Sequence, residues 1–268
     1  MAKNLLQQVM LKKAESSPDS APSFIDKEAL IDKIKSGYIV NRVDKFQTKK
    51  TFAPSTIAFS HGECPRYWYL AFTGATFTDN ADAYGGANMT AGTKSHERIQ
   101  QAMKDAGILK DAEFKVTYDN PPIFGFGDVI LDWEGEDLLG EIKTMPNEGF
   151  EYRKTAGKPK TGHLIQLLIY MKILNRSRAI LIYENKNNHE LLIFPVELNQ
   201  YYFEWVENAF EWMRDVRKAW EDKTLPTKNY RSNSKICKTC PIQAACAEAG
   251  VGEIKLKSLE PLNDKQAL

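Results

Sequence analysis

From Glu113 to about residue 200 the chain alternates short runs of apolar and β-branched residues with polar, turn-forming ones. FKVTYD (114–119), FGFGDVILDW (124–133) and DLLGEIKTM (137–145) predict three strands, with EGED as the hairpin loop between the last two. HLIQLLIYMKIL (163–174) is apolar on most sides, the mark of a buried helix. RAILIYENK and ELLIFPVEL predict two further strands, joined by a polar turn around Asn187 and Asn188. Residues 200–223 then form a long amphipathic pattern, with Phe203, Val206, Phe210, Met213 and Trp220 at helical spacing.

The amino-terminal part has helical periodicity instead. Ile25, Leu30, Ile31 and Ile34 predict a short helix over 26–36, and Pro54 and Ser55 start another that Pro65 bends or splits in two. A loop centred on Gly85 and Gly86 precedes a helix from about 90 to 106, ended by Gly107. Helices, three strands, helix, two strands, helix: this order predicts an α/β (α+β) core with a mixed sheet. Residues 1–50 form an amino-terminal extension with a polar leader up to 25, 51–250 the main domain, and 251–268 a tail. Beyond Leu225 a basic, proline-containing coil carries three of the four cysteines.

Composition narrows the class only a little. A chain of 268 residues buries one good core, or one core and a small satellite. No apolar run approaches the roughly 18 residues of a membrane span. The start, MAKNLLQQVMLKKAESS, lacks the apolar stretch of a secretory signal. Its glutamate and missing arginine argue against a transit peptide, so the cytoplasm is the expected compartment. With 36 basic and 35 acidic side chains the net charge is +1, so any nucleic-acid binding must come from clustering of basic residues, not from excess.

The candidate chemistry lies in FGFGDVILDW and LLGEIKT. Lys143 stands two residues after Glu141, so the two share a strand face about 7 Å apart. A hairpin register with Asp128 opposite Glu141 or Lys143 gathers two carboxylates and an ammonium at one place. Such a cluster suits Mg²⁺ or Mn²⁺, which prefer oxygen ligands and act as Lewis acids on water and phosphate. Asp132, four residues from Asp128 and so about 13 Å away along the strand, is too far to share the ion. Solvated cross-strand charges are the ordinary fate of such residues. Here Leu138 and Leu139 flank the charged pair, and burying a charge is expensive without a partner. His96 lies on the helix before the sheet, and Gln166 and Tyr170 share one face of the buried helix.

Cys237, Cys240 and Cys246 form C-x2-C-x5-C, and Cys64 stands 173 residues upstream. Structural zinc sites usually come as two close ligand pairs, so this three-plus-one split fits an iron–sulfur cluster better, with zinc the alternative. Cluster binding by all four cysteines would staple the amino-terminal helices to the carboxy-terminal coil.

Taken in order, these residues resemble the RecB-type branch of the PD-(D/E)XK nucleases, in particular members carrying a [4Fe–4S] cluster. These include CRISPR-adaptation exonucleases and AddB-type recombination subunits. The resemblance runs from about Ser55 to Cys246: CPRYWY at Cys64, GTKSH with His96, FGFGD with Asp128, GEIK with Glu141 and Lys143, QLLIY with Gln166 and Tyr170, and the cysteine cluster. It implies a restriction-endonuclease-like core in which His96, Asp128, Glu141 and the carbonyl of Ile142 hold Mn²⁺ or Mg²⁺. Lys143 would be the catalytic lysine, and Gln166 and Tyr170 would position DNA or brace the site. The activity implied is exonucleolytic cleavage from single-stranded DNA ends, in recombination, phage DNA metabolism or CRISPR adaptation. There is no G-x4-G-K-[ST] motif, so unwinding would need a helicase partner.

Arg153, Lys154, Lys158 and Lys160 in YRKTAGKPKTG form a basic loop expected on the DNA backbone, with a solvated loop as the alternative. Tyr67, Trp68 and Tyr69 are candidates for base stacking or for core packing. Two rival readings stay open. One is a non-catalytic, cluster-bearing adaptor that binds DNA ends. The other is a zinc-stapled protein whose carboxylates are surface charges.

Overall fold

Strands β1 (Leu109–Tyr118), β2 (Ile123–Trp133), β3 (Glu136–Met145), β4 (Arg178–Asn185) and β5 (Leu191–Glu197) lie side by side in chain order in one mixed sheet. The computed structural model describes residues 26–39, 48–78 and 82–263. The leader expected over 1–25 lies outside them. Helices α1 (Lys27–Ile39), α2 (Pro54–Ile57), α3 (Pro65–Thr73) and α4 (Ala83–Asp105) precede the sheet. Helices α5 (Asn147–Ala156) and α6 (Thr161–Ile173) separate β3 from β4. Helix α7 (Gln200–Glu221) follows β5, and the one-turn α8 (Lys235–Lys238) and short α9 (Gln243–Glu248) lie in the carboxy-terminal coil.

The hairpin is tighter than the four-residue loop EGED. Trp133 pairs with Glu136, leaving Glu134 (φ 54) and Gly135 (φ 83) as the two turn residues. Two positive φ values in a row match the right-handed strand twist, as in a type I′ turn. The register runs from there to Val129 opposite Gly140. β3 and β4 pair in parallel from Leu139↔Ala179 to Met145↔Asn185, which requires the long crossover through α5 and α6. All other pairs are antiparallel.

Helices pack on both faces of the sheet. On one, α3, α6 and α7 enclose the larger core, in which Leu167, Leu168 and Ile169 are fully buried. Each such side chain contributes about 1.5–3 kcal/mol by leaving water. On the other face Ile99 of α4 packs on Val129, Leu131, Ile142, Ile180 and Ile182, and there Trp133, Leu191 and Ile193 stay exposed. Leu259 and Leu262 join the larger core, and the Leu259 N–H donates to the Glu63 carbonyl at 2.9 Å. Among the described residues no helix is long and apolar enough to cross a membrane.

Several local expectations are corrected. Residues 83–89 are not a loop: Asp82 accepts from the Gly85 N–H at 2.7 Å and caps a helix that begins there. β1 begins at Leu109, before the change of texture at Glu113. Residues 152–156, expected at the start of a basic loop, belong to α5 (Asn147–Ala156), which Gly157 ends at φ 64. Phe203 is exposed on α7 and lies under Lys172 at 4.4 Å, while Val206, Phe210 and Met213 face the core.

Candidate active site

The β2–β3 pairing ends at Val129 opposite Gly140, and Asp128 and Glu141 are the next residue along each strand. Asp128 Oδ2 accepts the Ile142 N–H at 2.7 Å. Glu141 Oε1 accepts Gln166 Nε2 at 2.7 Å and Lys143 Nζ in a short contact. Asp128 is 7% and Glu141 1% exposed, so neither is a surface charge. The second oxygen of Glu141 is buried and has no partner among the described residues.

Electrostatics follow from that burial. Desolvation, then the Asp128 charge, pushes the Glu141 carboxyl well above the usual range, and Lys143 only partly opposes them. Burial works to lower the Lys143 ammonium, but Glu141 and Asp128 outweigh it and hold its pKa high. Lys143 is therefore a fixed cation beside a carboxylate pair.

His96 reaches the same place from α4, with Nδ1 3.7 Å from Asp128 Oδ1. Glu113, which carries no motif, completes the group. One ligand atom each from His96, Glu113 and Asp128 lie within 4.8 Å of one another, a spacing that suits one cation. Glu113 gets there because its backbone turns to φ 51 inside β1. Such strain in a side-chain-bearing residue persists only where the surroundings impose it. Gln100 holds the arrangement, donating at 2.8 Å to Glu113 Oε1 and at 3.1 Å to the Asp128 carbonyl. Glu141 does not fall within this compact trio. For Ile142, the contact seen is its amide. A strand residue directs N–H and C=O to the same neighbour, so its carbonyl also faces Asp128.

The glycines of FGFGD are required by close approach. A Cβ on Gly125 would stand 2.5 Å from the Tyr170 hydroxyl, and one on Gly127 would stand 2.2 Å from the Phe114 ring. Tyr170 and Gln166 are both buried beneath the site. Lys143 lies in register with Tyr183, whose hydroxyl meets His163 Nδ1 at 2.9 Å. Burial, with the cations of Lys143, Lys160 and Arg153, lowers His163 to about 3, so it is neutral.

The four basic residues diverge. Arg153 and Lys160 act on His163 and so lie toward Lys143. Lys154 pairs with Glu190 at 2.6 Å, and Lys158 has a partner of its own. Tyr67 and Trp68 are core residues, 3% and 0% exposed. Phe124 and Phe126 are among the exposed aromatics, edge to face at 5.2 Å on β2, with exposed Lys115 opposite Phe126. Strand alternation puts them on the face of Asp128, four and two residues away.

A second cluster lies apart from the carboxylates. Cys64, Cys237, Cys240 and Cys246 are free thiols lining one cavity of about 110 Å³. Among the described residues no three of their sulfurs lie within 4.8 Å of one another. Burial pushes Cys64 up to about 11 and Cys240 up to about 12, so as bare thiols both stay protonated.

No protein-family model and no curated protein matches the chain. Among solved structures it is similar to an alkaline exonuclease (LHK-Exo) from Laribacter hongkongensis, with a TM-score of 0.50 and 13% identity over 70% of this chain and 95% of that one. LHK-Exo in complex with dAMP gives 0.49 and 14%, over 70% and 93% of the two chains. SSO0001 gives 0.46 and 15%, over 81% and 96%. The chain thus has the mixed α/β fold of the alkaline exonuclease, a five-stranded sheet flanked by helices.

Proposed function

We propose that the chain is a Mg²⁺- or Mn²⁺-dependent DNA exonuclease that cleaves phosphodiester bonds from single-stranded ends. The observation that carries this is the buried Glu141 carboxylate beside Asp128, with one oxygen unpartnered and Lys143 at the other. A buried, half-satisfied carboxylate pair is costly unless a cation completes it. Likeness of fold to an alkaline exonuclease supports the same reading. It tells against a zinc-stapled protein with surface carboxylates, because both acids are buried.

His96, Glu113 and Asp128 would hold the ion, and the unpartnered oxygen of Glu141 and the carbonyl of Ile142 are its proposed further ligands. The ion would supply Lewis acidity toward water and phosphate. Lys143 keeps its proton and places positive charge where the phosphate gains negative charge in the transition state. Gln166 fixes the Glu141 oxygen that Lys143 also holds, so the ammonium is aimed before substrate arrives. Phe124 and Phe126 offer ring faces to unpaired bases near Asp128, and Lys115 offers charge to the backbone. Arg153 and Lys160 extend the positive side of the site.

We further propose that Cys64, Cys237, Cys240 and Cys246 hold a [4Fe–4S] cluster. They line one cavity, and burial keeps Cys64 and Cys240 protonated unless a metal takes the proton's place. A single zinc ion with bonds of about 2.3 Å would draw the sulfurs to within about 3.8 Å. The three-plus-one split of the cysteines along the chain is what favours an iron–sulfur centre over zinc.

The test is a nuclease assay with Mn²⁺ on single-stranded and duplex DNA, comparing wild type with Lys143→Ala. Cleavage should fall by about 10²–10³-fold, the cost of losing one preorganised charge. If neither protein cuts DNA while both bind its ends, the chain is a non-catalytic end-binding adaptor. Iron and zinc analysis of protein purified without oxygen tests the cluster.

A further inference from the structure

Arg66 follows Cys64 by two residues, in the first turn of α3, and is 1% exposed. Its guanidinium pairs with no carboxylate among the described residues. Nε donates to Cys246 Sγ at 3.2 Å. Nη1 donates to the carbonyls of Pro226 at 2.6 Å and Val251 at 3.4 Å. Nη2 donates to those of Gly250 at 2.6 Å and Cys246 at 3.3 Å. The four carbonyls satisfy its hydrogen bonds and leave its charge uncompensated. An arginine does not shed its proton to relieve burial, so the counter-charge must come from elsewhere.

The groups around the cavity leave few sources for it. Glu63 accepts the Tyr230 hydroxyl at 2.6 Å and forms no ion pair with Arg66 among the described residues. His61 is held neutral by its burial, and Lys228 at the rim is exposed and adds positive charge. The cysteine sulfurs are the remaining candidates, and one of them already accepts from Arg66.

We infer that Arg66 is the buried counter-charge of a four-thiolate iron–sulfur centre and a positioning residue for it. The inference rests on the proposed cluster. Four thiolates around a [4Fe–4S] core give a net negative centre, and a one-electron reduction by an external reductant adds one more negative charge. A fixed cation 3.2 Å from one ligand sulfur favours the reduced form and raises the reduction potential. The same side chain gathers the chain between Pro226 and Val251 around the cysteines. Gly252 leaves room for this, since a Cβ there would stand 2.6 Å from the Pro226 carbonyl.

The experiment is a dithionite titration, followed by absorbance and electron paramagnetic resonance, on anaerobically purified full-length wild type, Arg66→Lys and Arg66→Gln, with iron and zinc content measured on each. The lysine variant keeps the charge and should keep iron content and potential near wild type. In the glutamine variant the reduced-to-oxidised ratio at fixed potential should fall about tenfold, a shift of about 59 mV for a one-electron couple. An unchanged potential in a glutamine variant that holds its iron overturns the inference and leaves the cluster standing. If the glutamine variant purifies without iron, the lysine variant decides: wild-type iron and potential support the charge role, and loss of iron overturns it. Wild type that carries zinc or no metal overturns the cluster itself, a result distinct from the others.

Discussion

Gln166 donates to one oxygen of Glu141 at 2.7 Å, and no group among the described residues reaches the other. In the metal-free protein this buried carboxyl is left half-satisfied, and either a proton or a cation relieves it. Glu141→Gln should abolish metal-dependent cleavage and yet stabilise the metal-free fold, by on the order of 1–3 kcal/mol. Thermal unfolding in EDTA checks this; a lower midpoint in the variant would count against the buried carboxylate as a liability.

The same group sets a pH dependence. Burial first, then Asp128, raises the folded-state pKa of Glu141 above its ordinary 4.5, so the folded protein holds this proton more tightly than the unfolded chain. Metal-free stability is then full below pH 4.5 and is lost as pH rises toward the raised value. Denaturant unfolding in EDTA between pH 5 and 8 should show that decline. It should be shallower in Glu141→Gln and in wild type with Mn²⁺. Equal slopes in all three would reject it.

Glu113 is a proposed ligand that no motif announces. Glu113→Gln retains an oxygen for Gln100 to reach and removes the charge facing His96 and Asp128. Calorimetric titration with Mn²⁺ should show affinity weaker by about 10–100-fold, the range seen when a partner of a metal site is lost. Unfolding in EDTA should change little. Unaltered Mn²⁺ affinity would remove Glu113 from the site.

Phe124 and Phe126 have no core to lose. Replacing both with alanine should leave the melting temperature within a degree or two, since exposed sites rarely matter for stability. Affinity for single-stranded DNA, measured by anisotropy with Ca²⁺ in place of Mg²⁺, should weaken by about 1–3 kcal/mol per stacked base. Duplex affinity should be less affected. A uniform loss on both substrates would point to a general packing defect instead.

Much of this was legible before any coordinates. Alternation and turn residues located the hairpin, and the two-residue period then brought Asp128 and Glu141 together with Lys143 beside them. The largely apolar 163–174 stretch is legible as a buried helix, and its Gln166 and Tyr170 are buried with it. Glu113 was illegible because its placement depends on a φ of 51, which follows from neighbours such as Gln100 and not from residue type. The start of α4 was missed because two glycines outweighed the Asp82 cap in a composition-based reading. The basic segment was read as one loop, but four cations close in sequence diverge once Asn147–Ala156 becomes helical. Exposure of Phe124 and burial of Trp68 are facts of packing that a list of aromatics does not contain.

The distance along the chain between Cys64 and its three companions has a temporal meaning. During synthesis every acid of the site emerges before Cys237, and the contacts that assemble the hairpin are between near neighbours, which form fast. The cysteine cavity closes across most of the chain and waits for its last segment. A nascent chain thus acquires its carboxylates early and its closure late. On the proposal that the cavity takes an iron–sulfur cluster, its delivery would come after the hairpin has formed, and a cell short of iron would be left with the carboxylates assembled and the closure unmade.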